Sequence, residues 1–132
     1  MARVGAPAST ISPREGERAL RRGPRRGDVY IVALDPTVGT EIRKTRPAVV
    51  VSNDSCNTYG ARVVVLPVTS HVETLYPGEA RIRLKGVPAR VLGDQIRSID
   101  RSHLRSRMGV LSREELLDVE AAIRITLALG PT

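Results

Sequence analysis

The chain contains no phenylalanine and no tryptophan, and its aromatic content is three tyrosines, at 30, 59 and 76. That excludes recognition through a sheet of stacked aromatic rings, the device of the common RNA-binding modules. A single cysteine, Cys56, excludes an intrachain disulfide and gives no sign of an oxidising compartment. With no His–Asn partnering around it, Cys56 reads as an inert loop or strand-end thiol. The two histidines, His71 and His103, form no cluster with it, and no carboxylates stand at ligand spacing, so neither a metal nor any other cofactor is expected. Long apolar runs are also missing. Runs such as Ala48–Val51 and Val63–Leu66 are far too short to cross a bilayer, so no membrane partner is expected and the chain reads as cytoplasmic.

What is present is one domain's worth of Val, Leu, Ile and Ala with an uneven basic charge. At 132 residues and 41% hydrophobic content the chain can bury a single core. The formal net charge is +7, but residues 1–26 hold seven Arg against Glu15 and Glu17, leaving only +2 for everything after them. The high charge therefore describes a tail, and global charge is weak ground for inferring nucleic-acid binding. Residues 1–26 are rich in Arg, Pro, Gly and Ser without apolar periodicity, and they read as a disordered basic tail or as the product of a start codon set too far upstream. They lack the apolar face of a transit peptide. The domain itself is expected over residues 27–130.

Function is most concentrated between Gly39 and Asn57. A polar loop carrying Arg43, Lys44 and Arg46 turns at Arg46-Pro47 into the β-branched run Val49-Val50-Val51. Proline fixes its own φ and pushes Arg46 into extended backbone, so the guanidinium is held at the mouth of a strand. Such a fork is pre-positioned for a phosphate or a reacting centre. The plainer alternative is a strand-end charge paired with a surface carboxylate.

Around that stretch the pattern is mostly strand. Residues 28–35 form a first strand ending at Asp35-Pro36, and 47–52 a second. The polar break at 53–57 has turn chemistry. A third strand covers 61–68, with Pro67 pointing to an edge or a bulge. Residues 80–85 alternate strictly, with Ile82 and Leu84 inward and Arg81, Arg83 and Lys85 outward, either as a solvated face or as an RNA backbone contact. Residues 91–100 read as one strand with a bulge or close approach at Gly93. Met108–Leu111 is a short strand, and Ser112 to Glu115 is a capping box opening a helix that runs through Leu127 and is ended by Gly130-Pro131. Leu116, Val119, Ile123 and Leu127 make one stripe, and Leu117, Ala121 and Ile125 a second, which suggests burial between layers or at a dimer contact. Five or six strands and one helix give an α+β, mainly β, fold: a small, strongly bent sheet or barrel.

With these residues placed, the chain resembles the MazF/PemK toxins of type II toxin–antitoxin systems over Arg26 to Leu129. The matching pieces are Arg26-Gly27-Asp28-Val29-Tyr30, Leu34-Asp35-Pro36-Thr37, Gly39-Thr40-Glu41, Arg46-Pro47-Ala48-Val49-Val50, Pro67-Val68-Thr69-Ser70 and Asp94-Gln95-Ile96-Arg97-Ser98-Ile99-Asp100. The resemblance implies an SH3-like barrel of bent antiparallel strands with a C-terminal helix, working as a homodimer. It implies metal-independent cleavage of single-stranded RNA, with a ribose 2′-OH attacking the adjacent phosphate to leave 2′,3′-cyclic phosphate and 5′-OH ends. By the same resemblance Arg46, Thr69 and Glu41 are catalytic. Thr40 and Gln95 contact RNA, with Arg43, Lys44, Asp54, Asn57 and Arg97 as neighbours. Thr40 replaces the usual Ser, and Ile42-Arg43-Lys44-Thr45 is more basic than the Gln- and Gly-rich version of that loop.

An arginine stays protonated at physiological pH and is a poor general base, and His71 is the nearby side chain of a type that commonly serves as one. The family motif does not require it, so His71 is expected to be dispensable, and His103 to be solvated surface. The resemblance also implies a cognate MazE-like antitoxin whose acidic tail blocks the RNA channel, with residues 43–46 as a landing site, and the toxin–antitoxin complex as a DNA binder. Two rivals remain at this point. One is a CcdB-like toxin that binds DNA gyrase without catalysis, and the other is an inactive RNA-binding barrel.

Overall fold

The computed structural model describes residues 23–33 and 45–130. Its elements are β1 (Asp28–Ala33), β2 (Thr45–Val50), α1 (Asp54–Tyr59), β3 (Arg62–Thr69), β4 (Glu79–Leu84), β5 (Val87–Leu92), β6 (Arg97–Asp100), β7 (Leu104–Val110) and α2 (Arg113–Leu127). The strands pair antiparallel in the order β4-β5-β3-β2-β1-β7, and β6 pairs with β3 off that path. The result is a curled half-barrel with one long helix at its C-terminal end, as the residue pattern indicated.

Both faces of the sheet are covered, which is why its central strands read as nearly unbroken valine. Val29, Val49, Val51, Leu66, Val68, Ile82 and Val91 pack on one face beneath Val119 and Ala122 of α2. Tyr30, Val32, Ala48, Val50, Val63, Val65, Ile99 and Leu104 fill the other. Neighbours in sequence divide between the two cores because successive side chains on a strand point to opposite faces. Register shifts between β1 and β7, at Val29/Tyr30 and Ile31/Val32, help to bend the sheet.

Several local expectations change. There are seven strands among the described residues, because residues 91–100 are not one strand. The chain leaves β5 at Leu92, makes a 3-10 turn over Gly93–Gln95 and restarts as β6. Gly93 does mark a close approach. Its N–H donates to the Gly78 carbonyl at 3.0 Å, and a Cβ there would collide with that oxygen and with the Thr126 hydroxyl. β5 itself was hidden by Pro88. Lys85 and Gly86, both at positive φ, make the two-residue hairpin turn before it, and Lys85 therefore belongs to a turn and not to the outward row.

β2 starts at Thr45, so Arg46 lies inside a strand and not before it. The break at 53–57 is the start of α1, capped by the Asn53 side chain, which accepts the Cys56 N–H at 2.8 Å. β3 is an interior strand, and its Pro67 falls where the partner on one edge changes from β6 (last pair Val65–Arg97) to β5 (first pair Val68–Val91). A missing N–H is tolerated at that switch. β7 begins at Leu104, four residues before the expected strand.

The capping box is present. Ser112 accepts the Glu115 N–H at 3.1 Å, and Glu115 Oε1 accepts the Ser112 N–H at 2.9 Å. The second Glu115 oxygen accepts the Arg83 N–H of β4 at 2.8 Å, fastening the helix start to the sheet. At the other end the stop comes from Ala128 in the left-handed region (φ 57°), with Leu129 N–H bonding the Arg124 carbonyl at 2.9 Å, and not from Gly130. Glycine holds that conformation without the Cβ penalty, so Ala128→Gly should raise stability by about 1 kcal/mol in chemical denaturation. Val119 and Ala122 are buried, whereas Leu117, Ile125 and Leu127 are exposed in the single chain. No described helix is long and apolar enough to cross a membrane.

A smaller feature sets one pH response. Asp100 caps the 3-10 turn at Arg101–His103, accepting the Ser102 N–H at 2.9 Å. That bond, ahead of the nearby charges of His103 and Arg62, holds its pKa below the ordinary aspartate value. Its contribution is complete above the unfolded pKa and is lost as pH falls through the lower folded one.

Candidate active site

Two sequence-distant residues singled out above meet in one cleft. Its cavity of about 360 Å³ is lined by Arg46 and Pro47 of β2, Val68 and Thr69 of β3, and Ser70 and His71 just beyond, facing the β4–β5 hairpin at Leu84 and Val87–Ala89. The pairing explains the meeting. Ala48 of β2 stands opposite Pro67 of β3, and continuing that antiparallel register by two residues sets Arg46 opposite Thr69. Both then project on the sheet face that holds Ala48, Val50, Val63 and Val65.

The backbone of Arg46 is held from the other side as well, since it pairs with Val32 of β1. Its side chain is half-buried, and among the described residues no carboxylate pairs with it. Thr69 is the last residue of β3, and its hydroxyl oxygen accepts the His71 N–H at 3.3 Å. An oxygen occupied as acceptor in this way keeps its own O–H to donate into the cleft. A cation and a hydroxyl donor at one open wall are the groups that a tetrahedral or trigonal-bipyramidal oxyanion would need.

The other expected residues divide. Thr40, Glu41, Arg43 and Lys44 lie outside the described residues. Gln95 is exposed at the end of the Gly93–Gln95 turn, and Arg97 is half-exposed at the start of β6. Neither lines the cleft. Arg97 pairs with Val65, which places it on the same sheet face as Thr69 and roughly 13 Å along β3 from it. Asp54 and Asn57 serve the fold. Asn57 is fully buried, its amide donating to the Ser52 carbonyl at 2.9 Å and to Asp54 at 3.3 Å while its oxygen accepts the Ser52 hydroxyl. Asp54 also accepts the Arg26 N–H at 2.7 Å. Asn57 has no exposed surface, Asp54 is exposed, and both side chains hydrogen-bond within the turn that opens α1. Nothing in the local sequence marked Ser70, Leu84 or Val87 as cleft walls, because their place follows from the β4–β5 hairpin.

This geometry has known counterparts. Residues 25–127 match the model of the PemK-like, MazF-like toxins of type II toxin–antitoxin systems. The chain is 36% identical over 114 residues to the endoribonuclease MazF9 of Mycobacterium tuberculosis, covering 80% of this chain and 97% of that one. It is 33% identical over 111 residues to the endoribonuclease MazF of Staphylococcus epidermidis, covering 80% and 92%. Among solved structures, a MazE–MazF crystal structure from Deinococcus radiodurans superposes with a TM-score of 0.70 at 28% identity, covering 81% of this chain and 97% of that one. The chain belongs to the PemK/MazF family of type II toxins.

Proposed function

We propose that the cleft at Arg46 and Thr69 is the catalytic centre of a ribonuclease toxin that cleaves single-stranded RNA through the ribose 2′-OH, without a metal ion. The endoribonuclease class follows from the family and from its curated relatives. The observation that carries the site is the meeting of a half-buried guanidinium and an oriented hydroxyl on opposed strands of one open cleft.

Attack by the 2′-OH builds negative charge on the non-bridging phosphate oxygens. Arg46 offers two parallel N–H donors to those oxygens, and Thr69 adds its O–H. The linkage between phosphorus and the 5′-oxygen breaks as the 2′-oxygen bond forms, giving a 2′,3′-cyclic phosphate and a leaving 5′-oxygen that takes a proton from water to become a 5′-OH. The proton on the 2′-OH needs an acceptor, and a guanidinium at neutral pH is already protonated. The candidates are Arg46 itself in a neutral form and His71, with Glu41 in the catalytic set by resemblance. His71 lines the same cleft, and its removal tests whether it is that acceptor. His71→Ala should retain cleavage, with a pH–rate profile that overlays the wild type between pH 6 and 7.5. A wild-type inflection in that window that the variant lacks would move the base to His71.

From the cleft the RNA continues to Gln95 and Arg97, with Thr40, Arg43 and Lys44 contributing from the segment before β2. The partner is a MazE-like antitoxin, by analogy with the complex from Deinococcus radiodurans. The exposed second stripe of α2, with Leu117 and Ile125, fits a homodimer contact. The direct test is incubation of a long single-stranded RNA with the purified protein in EDTA, with the fragment ends identified. Cyclic phosphate and 5′-OH ends are expected. Intact RNA, or 5′-phosphate ends, would reject this chemistry.

A further inference from the structure

We propose that Arg90 is a positioning residue for Thr69, acting through the loop that joins β3 to β4. This rests on the reading of Thr69 as a catalytic donor.

The loop from Ser70 to Gly78 has no strand or helix of its own, yet it forms one wall of the cleft through Ser70 and His71. It also supplies the His71 N–H that fixes the Thr69 hydroxyl. A wall without regular structure needs ties from elsewhere, and here they come from one side-chain group on the β4–β5 hairpin. Arg90 of β5 donates through Nη1 to the Thr74 carbonyl. Its Nε pairs with Glu79 Oε1 at 3.4 Å. The same Glu79 oxygen accepts the Tyr76 N–H at 2.9 Å, and the Tyr76 carbonyl accepts the Glu79 N–H at 3.1 Å. Arg81, directly across from Arg90 in the hairpin, donates to the Val72 carbonyl at 3.3 Å.

Three backbone positions of the loop, 72, 74 and 76, are thus held by a charge-assisted cluster. The side chains of Arg90 and Glu79 are 17% and 10% exposed, so the pair is shielded enough to hold its geometry. The centre of the cluster is also next to the residue it serves, since Arg90 stands opposite Thr69 in the β3–β5 ladder. The short path runs from Arg90 and Glu79 to the loop backbone, from there to the His71 N–H, and on to the Thr69 oxygen. Loss of the brace frees the loop, and the Thr69 O–H no longer points at the phosphate when the transition state forms.

Arg90→Gln keeps most of the apolar stem and removes the charged fork, and Glu79→Gln attacks the same pair from the other side. Each should lower kcat by about ten-fold with KM nearly unchanged, as expected for a misplaced catalytic group. In a Thr69→Ala background the same changes should cost less than about two-fold, because the group they position is gone. Hydrogen exchange at the His71 and Tyr76 amides should quicken in both variants. An equal loss with and without Thr69 would overturn the proposal, and so would unchanged exchange. Exchange is read on the protein alone, so it decides the brace even if the wild type proves not to cleave RNA, a result that would count against the function instead.

Discussion

Arg46→Ala is expected to lower kcat for RNA cleavage by about 10²–10³-fold while leaving the fold intact. The size follows from what the side chain supplies. In the proposed reaction two N–H donors on a rigid strand face the charge that builds on phosphorus, and removing a pre-organised donor of this kind costs about 2.7–4 kcal/mol of transition-state stabilisation. Arg46→Lys should recover only part of the loss, since an ammonium provides the charge without the bidentate fork. KM should move little, because the interaction is stronger in the transition state than with bound RNA. Stability should be nearly untouched, within about 0.5 kcal/mol, because the side chain is half-buried and no described carboxylate pairs with it. Single-turnover cleavage in EDTA beside thermal melting checks both halves. A variant that melts normally and cleaves at the wild-type rate would remove Arg46 from the centre.

Arg46 was legible in the sequence because its constraint is local. A proline after it and three β-branched residues beyond call for extended backbone there, and the distant pairing with Val32 of β1 changes only its place, from the mouth of the strand to its interior. The helix start at Ser112–Glu115 was legible for the same reason, as a motif complete within four residues. Thr69 could be named from resemblance alone, since its nearness to Arg46 depends on the β2–β3 register, which sets in space residues more than twenty positions apart. The errors lie where tertiary pairing overrides local preference. Pro88 concealed β5, although β5 bonds β3 only near its far end, at Arg90 and Val91, and has no need of an N–H at Pro88 on that side. Gly93 looked like a bulge in a continuous strand, but the approach of Gly78 and Thr126 from other elements turns the chain there. Asn57 has the polarity of an RNA contact and the burial of a core residue, and only the fold around Ser52 distinguishes the two. The brace at Arg90, Glu79 and Arg81 was invisible for the same reason as β5, because residues 81 and 90 face each other only once the Lys85-Gly86 turn has set the hairpin.

Asp28→Asn should act in the opposite way to Arg46→Ala, removing stability and sparing chemistry. Asp28 opens β1 and is 1% exposed. One carboxylate oxygen meets Arg107 Nε of β7 at 3.1 Å and the other accepts the Arg25 N–H at 2.9 Å. The side chain of Arg107 is 8% exposed, so both charges are removed from water. Neutralising the aspartate leaves a buried guanidinium without a counter-charge, which costs about 3–5 kcal/mol. That is a large share of the roughly 5–15 kcal/mol that holds a domain folded. The ion pair between Arg26 and Glu120 is the internal control. Its side chains are 28% and 26% exposed, and Glu120→Gln should cost no more than about 1 kcal/mol. A double variant, Asp28→Asn with Arg107→Met, should be more stable than Asp28→Asn alone, because the cost comes from the stranded charge more than from the lost attraction. Urea denaturation of the four proteins measures each step. Cleavage per folded molecule should stay close to wild type in Asp28→Asn at low temperature, because Asp28 lies at the end of β1 away from Val32, the residue that pairs with Arg46. If instead the double variant is as unstable as the single one, the aspartate is acting through its bond to the Arg25 N–H, and the fold depends on the turn before β1 more than on the buried pair.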